Sequence, residues 1–260
     1  YMKNIFLGIA VVIAPTAFAF HVVIDPGHGG VDAGTTRRDF KESETALTVA
    51  KKLAAKLRSN RQFKVTLTRT DDRALGLLER VRIADQTNGD ILISIHVNSS
   101  TDTRARGVEF YFQNQLAADE EAMYLAHREN NESSTEKSPI AALKNVTPSL
   151  RTILEDLLST DRIFQSAELC KSLKTHWRGH KKQTANSLHQ APFVVVSDVH
   201  MPAALVELGF ATNAEDYKAL TDNEYLNVAA LSLYNGIVDF KESLDKSLPP
   251  ALKSPTVSSR

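Results

Sequence analysis

Six short apolar runs recur along the chain with helical patterns between them, and no other feature constrains the fold as strongly. HVVID (21–25), FKVTLTR (63–69), DILISIH (90–96), GVEFYF (107–112), FVVVS (193–197) and AALVEL (203–208) read as strands. Several are apolar throughout, as in a sheet covered on both faces. Between them, residues 43–57 carry Leu47, Ala50, Leu53, Ala54 and Leu57 at helical spacing, 77–85 form a second helix, and 225–244 a long last one. Strand–helix–strand alternation of this kind predicts an α/β domain with a mainly parallel sheet of about six strands and helices on both faces.

One region breaks the alternation. Residues 116–182 contain no strand pattern, only helical patterns at 117–129, 150–158 and 163–177 around the polar stretch NNESSTEKSPI, and they read as a helical insertion. The proline- and serine-rich tail, 246–260, is expected to be disordered. At the other end, IFLGIAVVIAPTAFA closes on Ala17-Phe18-Ala19 and reads as a signal peptide over 1–19, cut before Phe20. The protein is therefore expected to be exported, periplasmic or secreted, with one catalytic domain over 20–245. With 31 basic and 31 acidic side chains, the chain gives no electrostatic reason to expect nucleic acid or an anionic membrane as partner. A single cysteine, Cys170, excludes an internal disulfide, and its apolar helical surroundings suit a buried small hydrophobe.

Open α/β sheets gather their chemistry at the carboxyl ends of strands. Three predicted strand ends carry Asp25-Pro-Gly-His28, Ser94-Ile-His96-Val-Asn98 and Val206-Glu207-Leu-Gly209, and Lys41-Glu42-Ser43 precedes the first helix. Two imidazoles and a carboxylate suit a hydrolytic zinc site, in which three protein ligands leave one position open. His28, Glu42 and His96 are the candidate ligands, although Glu44 competes with Glu42 as a first-turn carboxylate. Gly27, Gly29 and Gly30 would let the backbone bend so that His28 faces the metal. Glu207 is the candidate acid/base, taking a proton from water and returning it to a leaving amine. His176 and His180 are four apart, but Trp177 stands where a zinc-protease helix needs glutamate, so they read as a solvated helix end.

Taken together, IDPGHGG, the Lys41-Glu42 pair, LTRTDD, LLERVRIAD, DILISIHVNSS, GVEFYF and MPAALVELGFATN resemble the zinc-dependent N-acetylmuramoyl-L-alanine amidases, with the periplasmic cell-separation amidases as the nearest type. The resemblance implies a doubly wound α/β fold, one Zn²⁺ ion, hydrolysis of the amide between the lactyl group of N-acetylmuramic acid and L-alanine in peptidoglycan, and roles in wall remodelling and daughter-cell separation. It assigns His28, Glu42 and His96 to the metal, choosing Glu42 by its distance to Leu47, and Glu207 to catalysis. Arg69, Asp72 and Arg80 fall on matching positions and read as structural hydrogen-bonding groups. Asp85 stands where the family often has asparagine. No separate wall-targeting domain is expected.

In cell-separation amidases an inserted helix blocks the groove with a glutamate. The fragment AHRENNES makes Glu129 the first candidate for an autoinhibitory metal ligand and Glu132 the second, and implies a protein activator that displaces the helix. Two rival readings stand beside this one: a zinc carboxypeptidase-like peptide hydrolase, which needs a specificity arginine facing the metal, and a catalytically inactive wall-binding module, which needs a missing ligand or acid/base.

Overall fold

The structure, a computed structural model, describes residues 19–113, 120–131, 148–179 and 187–247, with backbone alone for 148–158. Residues 1–18 of the expected signal peptide, Glu132, His180 and the tail beyond residue 247 lie outside the described residues.

Six strands form one sheet. In chain order they are β1 (Phe20–Pro26), β4 (Phe63–Leu67), β5 (Ile91–Asn98), β6 (Glu109–Phe112), β7 (Leu188–Gln190) and β8 (Ala203–Phe210), and a two-residue pair, β2 (Thr36–Arg37) and β3 (Phe40–Lys41), stands apart. The spatial order is β4-β1-β5-β8-β6-β7. The β1–β4, β1–β5, β5–β8 and β6–β7 ladders are parallel, and β6 runs antiparallel to β8. The mainly parallel, six-stranded α/β sheet expected from the sequence is therefore present.

The pleat divides the core in two. Val22, Ile24, Ile91, Ile93, Ile95, Ala204 and Val206 face helices α1 (Glu42–Arg58), α4 (Pro148–His176) and α7 (Asn223–Ser247). Val23, Leu92, Ala203 and Leu205 face the other way, towards α2 (Leu77–Gln86), α3 (Glu120–Asn131) and α5 (Val194–Ser197). Both faces are dry, which is why the strands read as near-continuous apolar runs. A short helix, α6 (Ala214–Leu220), follows β8, with Asn213 accepting from the backbone N–H of Glu215 and Asp216 as its cap.

Two sequence expectations are corrected. FVVVS is not a strand: Val194–Ser197 is a single helical turn. The edge position beside β6 is taken by Leu188–Gln190, and Pro192 intervenes before the valines. Val195 and Val196 then bury themselves in the second core, so packing overrides the β-branched preference. The patterns at 150–158 and 163–177 belong to one continuous helix, Pro148–His176, because residues 159–162 hold neither glycine nor proline. Its Leu169, Cys170 and Leu173 lie in the main core against α7, with Cys170 fully buried. Among the described residues no helix is long and apolar enough to cross a membrane.

Candidate metal centre

β1, β5 and β8 are adjacent and parallel, so their carboxyl ends share one rim. There the register sets Pro26 beside Ile95 and His96 beside Glu207. The chain leaves β1 through a loop held almost entirely by its own carbonyls. Arg69, fully buried, donates from Nε to Pro26 O (3.0 Å) and from Nη2 to Gly27 O (2.6 Å) and Ser43 O (2.8 Å). Arg80 donates to Asp25 Oδ1 (2.9 Å), Pro26 O (2.6 Å) and His28 O (2.7 Å). Asp72 accepts from Gly30 N at 3.0 Å. These three residues do the structural work read from the sequence.

The glycines have specific reasons. A Cβ at Gly27 would lie 2.4 Å from the His96 ring, so only hydrogen leaves room for that imidazole. His28 itself adopts a left-handed backbone, φ 55°, with Gly29 at φ 129° after it. This turn aims the His28 side chain inward, where its ring meets that of His96 edge-on at 4.9 Å between centroids.

Glu42 is the first residue of α1. Its Oε1 accepts from Val97 N (2.8 Å) and lies 3.0 Å from His96 Nδ1 and 3.1 Å from His28 Nε2. Its Oε2 accepts from Thr35 N at 2.8 Å. The competing Glu44 is exposed and paired with Lys41 at 2.8 Å. From the opposite side α3 brings Glu129, whose Oε2 is 3.3 Å from His28 Nε2 and 3.4 Å from His96 Nδ1. The structure thus brings His28, Glu42, His96 and Glu129 together. One ligand atom from each of His28, His96 and Glu129 lies within 4.8 Å of the others, and this buried group could hold a metal ion.

The chemistry of the donors fits a cation. Ligands about 2.0–2.1 Å from a tetrahedral centre sit about 3.3–3.4 Å apart. The 3.0–3.4 Å spacings between the imidazole nitrogens and the two carboxylates fall close to that edge length. The field agrees. Burial works against a charge on His96, yet the Glu129 and Glu42 carboxylates outweigh it and push the imidazole up to about 10. Burial would likewise raise Glu42, but His28 and His96 hold it down to about 2. Such a pocket favours positive charge at its centre.

Glu207 is different. It is fully buried, and neither carboxylate oxygen has a hydrogen-bond partner among the described residues. Burial pushes its carboxyl well above the usual range, reinforced by Glu42 and Glu129 and opposed by His96 and Arg128.

Several residues at the site carry no signal in a single-sequence reading. Asp32 Oδ2 is 2.8 Å from His28 Nδ1. Arg128 grips Glu129 Oε1 through Nε (3.1 Å) and Nη2 (2.9 Å) and donates from Nη1 to Ser99 Oγ at 2.6 Å. Asn130 donates to Pro192 O and accepts from Val194 N, both at 2.9 Å. The decoy His176 is bound through Nδ1 to Ser172 O at 3.0 Å, away from this rim.

A doubly covered α/β sheet with two imidazoles, two ionised carboxylates and a third, buried carboxyl at its strand ends defines a class: a hydrolase-type domain whose site could hold a cation and handle a proton. Residues 22–239 match the family model described as N-acetylmuramoyl-L-alanine amidase, and the chain belongs to that family. It is 34% identical over 224 residues to N-acetylmuramoyl-L-alanine amidase AmiA of Salmonella typhimurium, covering 84% of this chain and 75% of that protein. Against the AmiA of Escherichia coli it is 33% identical over 228 residues, with the same coverages of 84% and 75%. Among solved structures, amidase AmiC2 of Nostoc punctiforme superposes with a TM-score of 0.62 at 25% identity, covering 86% of this chain and 97% of that one. The CwlD amidase of Clostridioides difficile, solved in complex with the GerS lipoprotein, gives a TM-score of 0.64 over 86% of this chain and 98% of that one. At 21% identity it speaks for the fold alone.

Proposed function

We propose that this protein is an exported, zinc-dependent amidase that cleaves the bond between the lactyl group of N-acetylmuramic acid and L-alanine in peptidoglycan. In this reading it serves wall remodelling and daughter-cell separation, and it rests in a blocked state. One observation carries the proposal: Glu42 Oε1 lies 3.1 Å from His28 Nε2 and 3.0 Å from His96 Nδ1, with Glu207 in register beside His96.

His28, Glu42 and His96 would hold the ion. Zinc, when bound, supplies a Lewis acid that polarises the amide carbonyl and eases deprotonation of water. The remaining chemistry belongs to Glu207. In its ionised form this buried carboxylate, with no competing hydrogen bond among the described residues, can take a proton from the attacking water on one oxygen and return it to the departing L-alanine nitrogen. Burial raises the proton affinity of that carboxyl, which strengthens its ionised form as the base in the first half of the exchange.

Glu129 supports the blocked state. Its Oε2 faces both imidazoles, where a substrate carbonyl would need to enter, and Arg128 fixes its other oxygen. A protein activator that lifts α3 would open the site. The carboxypeptidase-like alternative gains nothing from Arg128, which is engaged with Glu129 and Ser99 and would leave with α3.

Metal stripping and reloading tests the proposal. The apoprotein should be inactive on peptidoglycan and recover with one equivalent of zinc once α3 is displaced. Full activity after exhaustive chelation would exclude the zinc reading.

A further inference from the structure

We infer that Asp32 is a positioning residue for two metal ligands at once: one carboxylate oxygen orients the His28 imidazole and the other sets the backbone that orients Glu42. The inference rests on the zinc reading above and concerns how the ligands are held.

Asp32 lies in the loop after β1, joined to it by reciprocal backbone hydrogen bonds with Gly29 at 2.7 and 3.3 Å. Its side chain is partly exposed, and the two oxygens have separate tasks. Oδ2 lies 2.8 Å from His28 Nδ1. An ionised carboxylate only accepts, so Nδ1 carries the proton and Nε2 presents its lone pair to Glu42, Glu129 and the ion they surround. An outer carboxylate of this kind fixes the tautomer and ring orientation of a ligating histidine.

Oδ1 accepts from Gly34 N at 3.0 Å. Gly34 is left-handed, φ 63°, and a Cβ there would lie 2.6 Å from both Glu42 Oε2 and His28 Cδ2. The next amide, Thr35 N, donates to Glu42 Oε2 at 2.8 Å, while Glu42 N and Ser43 N bond back to Thr35 O and Ala33 O at 3.0 and 3.2 Å. Asp32 therefore anchors the strip of backbone that holds Glu42 in place. His96 has a different arrangement, meeting the centre through Nδ1, so the two histidines are not equivalent.

Asn is the diagnostic replacement. It keeps the size of Asp32, but whichever way its amide turns, one donor must face either His28 Nδ1–H or Gly34 N–H. The test measures zinc dissociation constants of the full chain by competition with a chromophoric chelator, alongside thermal melting of each apoprotein. Asp32→Asn should bind zinc about 10–100-fold more weakly, with its apoprotein melting only a few degrees below the native one and folded at the assay temperature. Asp72→Asn is the control, removing the same charge from a residue that accepts from Gly30 N and touches no ligand. It should stay within about threefold of the native protein, because a charge without direct contact is largely screened.

Zinc binding by Asp32→Asn within about threefold of native overturns the inference, as does an equal loss in Asp72→Asn, which would mean charge without position. Should Asp32→Asn be unfolded at the assay temperature, ¹⁵N-histidine spectra of the native zinc-loaded protein decide: a proton on His28 Nδ1 supports the inference and a proton on Nε2 overturns it. A native protein that takes up no zinc removes the zinc reading itself, a result distinct from native binding that Asp32→Asn leaves unchanged.

Discussion

Glu207 stands directly across from His96 in the β5–β8 ladder, and its two carboxylate oxygens are buried with no hydrogen-bond partner among the described residues. A carboxyl so placed contributes no native hydrogen bond to the fold among those residues, while burial works against its ionised form. Glu207→Gln should therefore leave folding and zinc content intact while lowering turnover of peptidoglycan by about 10²–10⁴-fold. Zinc analysis beside a turnover assay checks it; retained turnover would remove Glu207 from the chemistry.

Among the described residues α3 meets the body through Ala122, Leu125 and Ala126 in the second core, Arg128 on Ser99, Glu129 on His28 and His96, and Asn130 on the 192–194 backbone. Asn130→Ala removes two hydrogen bonds without touching a ligand. A loss of about 1–3 kcal/mol in docking corresponds to roughly 5–150-fold more undocked helix. Basal activity should rise by a similar factor, and Glu129→Ala should raise it too. Unchanged basal activity in both variants would count against the blocked state.

Asp25 is fully buried beneath the site loop, accepting from Thr68 Oγ1 (2.5 Å), Ser94 Oγ (2.9 Å) and Arg80 Nη1 (2.9 Å). Burial alone would raise its carboxyl, but Arg80 and the Thr68 hydroxyl hold it below the usual 3.8. Its folded value lies under its unfolded one, so its stabilisation is complete above pH 3.8 and fades as pH falls through the lower, folded value. Acid titration followed by circular dichroism should show that loss below pH 3.8, and Asp25→Asn should flatten it. That variant should also cost about 3–5 kcal/mol at neutral pH, since it leaves Arg80 without its charge partner.

α4 and α7 pack closely at Gly236, where an added Cβ would lie 2.8 Å from Leu173 Cα. Backbone cannot step aside as a side chain can. Gly236→Ala should destabilise the fold by about 1–3 kcal/mol despite alanine's better helix propensity. At about 2–4 °C per kcal/mol for a domain of this size, a melting curve resolves it. A rise in melting temperature would show that the helices have room to part.

The alternation of apolar runs made the sheet legible, and the short motifs at 25–28, 41–42, 94–98 and 206–209 pointed to residues that the fold gathers on one rim. Each of those signals is local: a strand, then a turn or helix start. What could not be read depends on distant contacts. FVVVS has the composition of a strand, and only the core beneath α3 and the Asn130 cap, 64 residues away, turn it into a helix. Arg128 looks like any charge on a helix face until Ser99, 29 residues earlier, receives it. Asp32 sits among glycines whose sequence signal is backbone shape, and only the folded loop sets its carboxylate against the His28 imidazole.

The central claim is tested most directly by the products that the Glu129→Ala variant releases from purified peptidoglycan, with zinc and after chelation. The account predicts intact stem peptides with free L-alanine amino groups and glycan strands bearing free lactyl carboxylates, all abolished by the chelator. Peptide fragments with the muramyl–alanine bond intact, or products indifferent to the chelator, would contradict it.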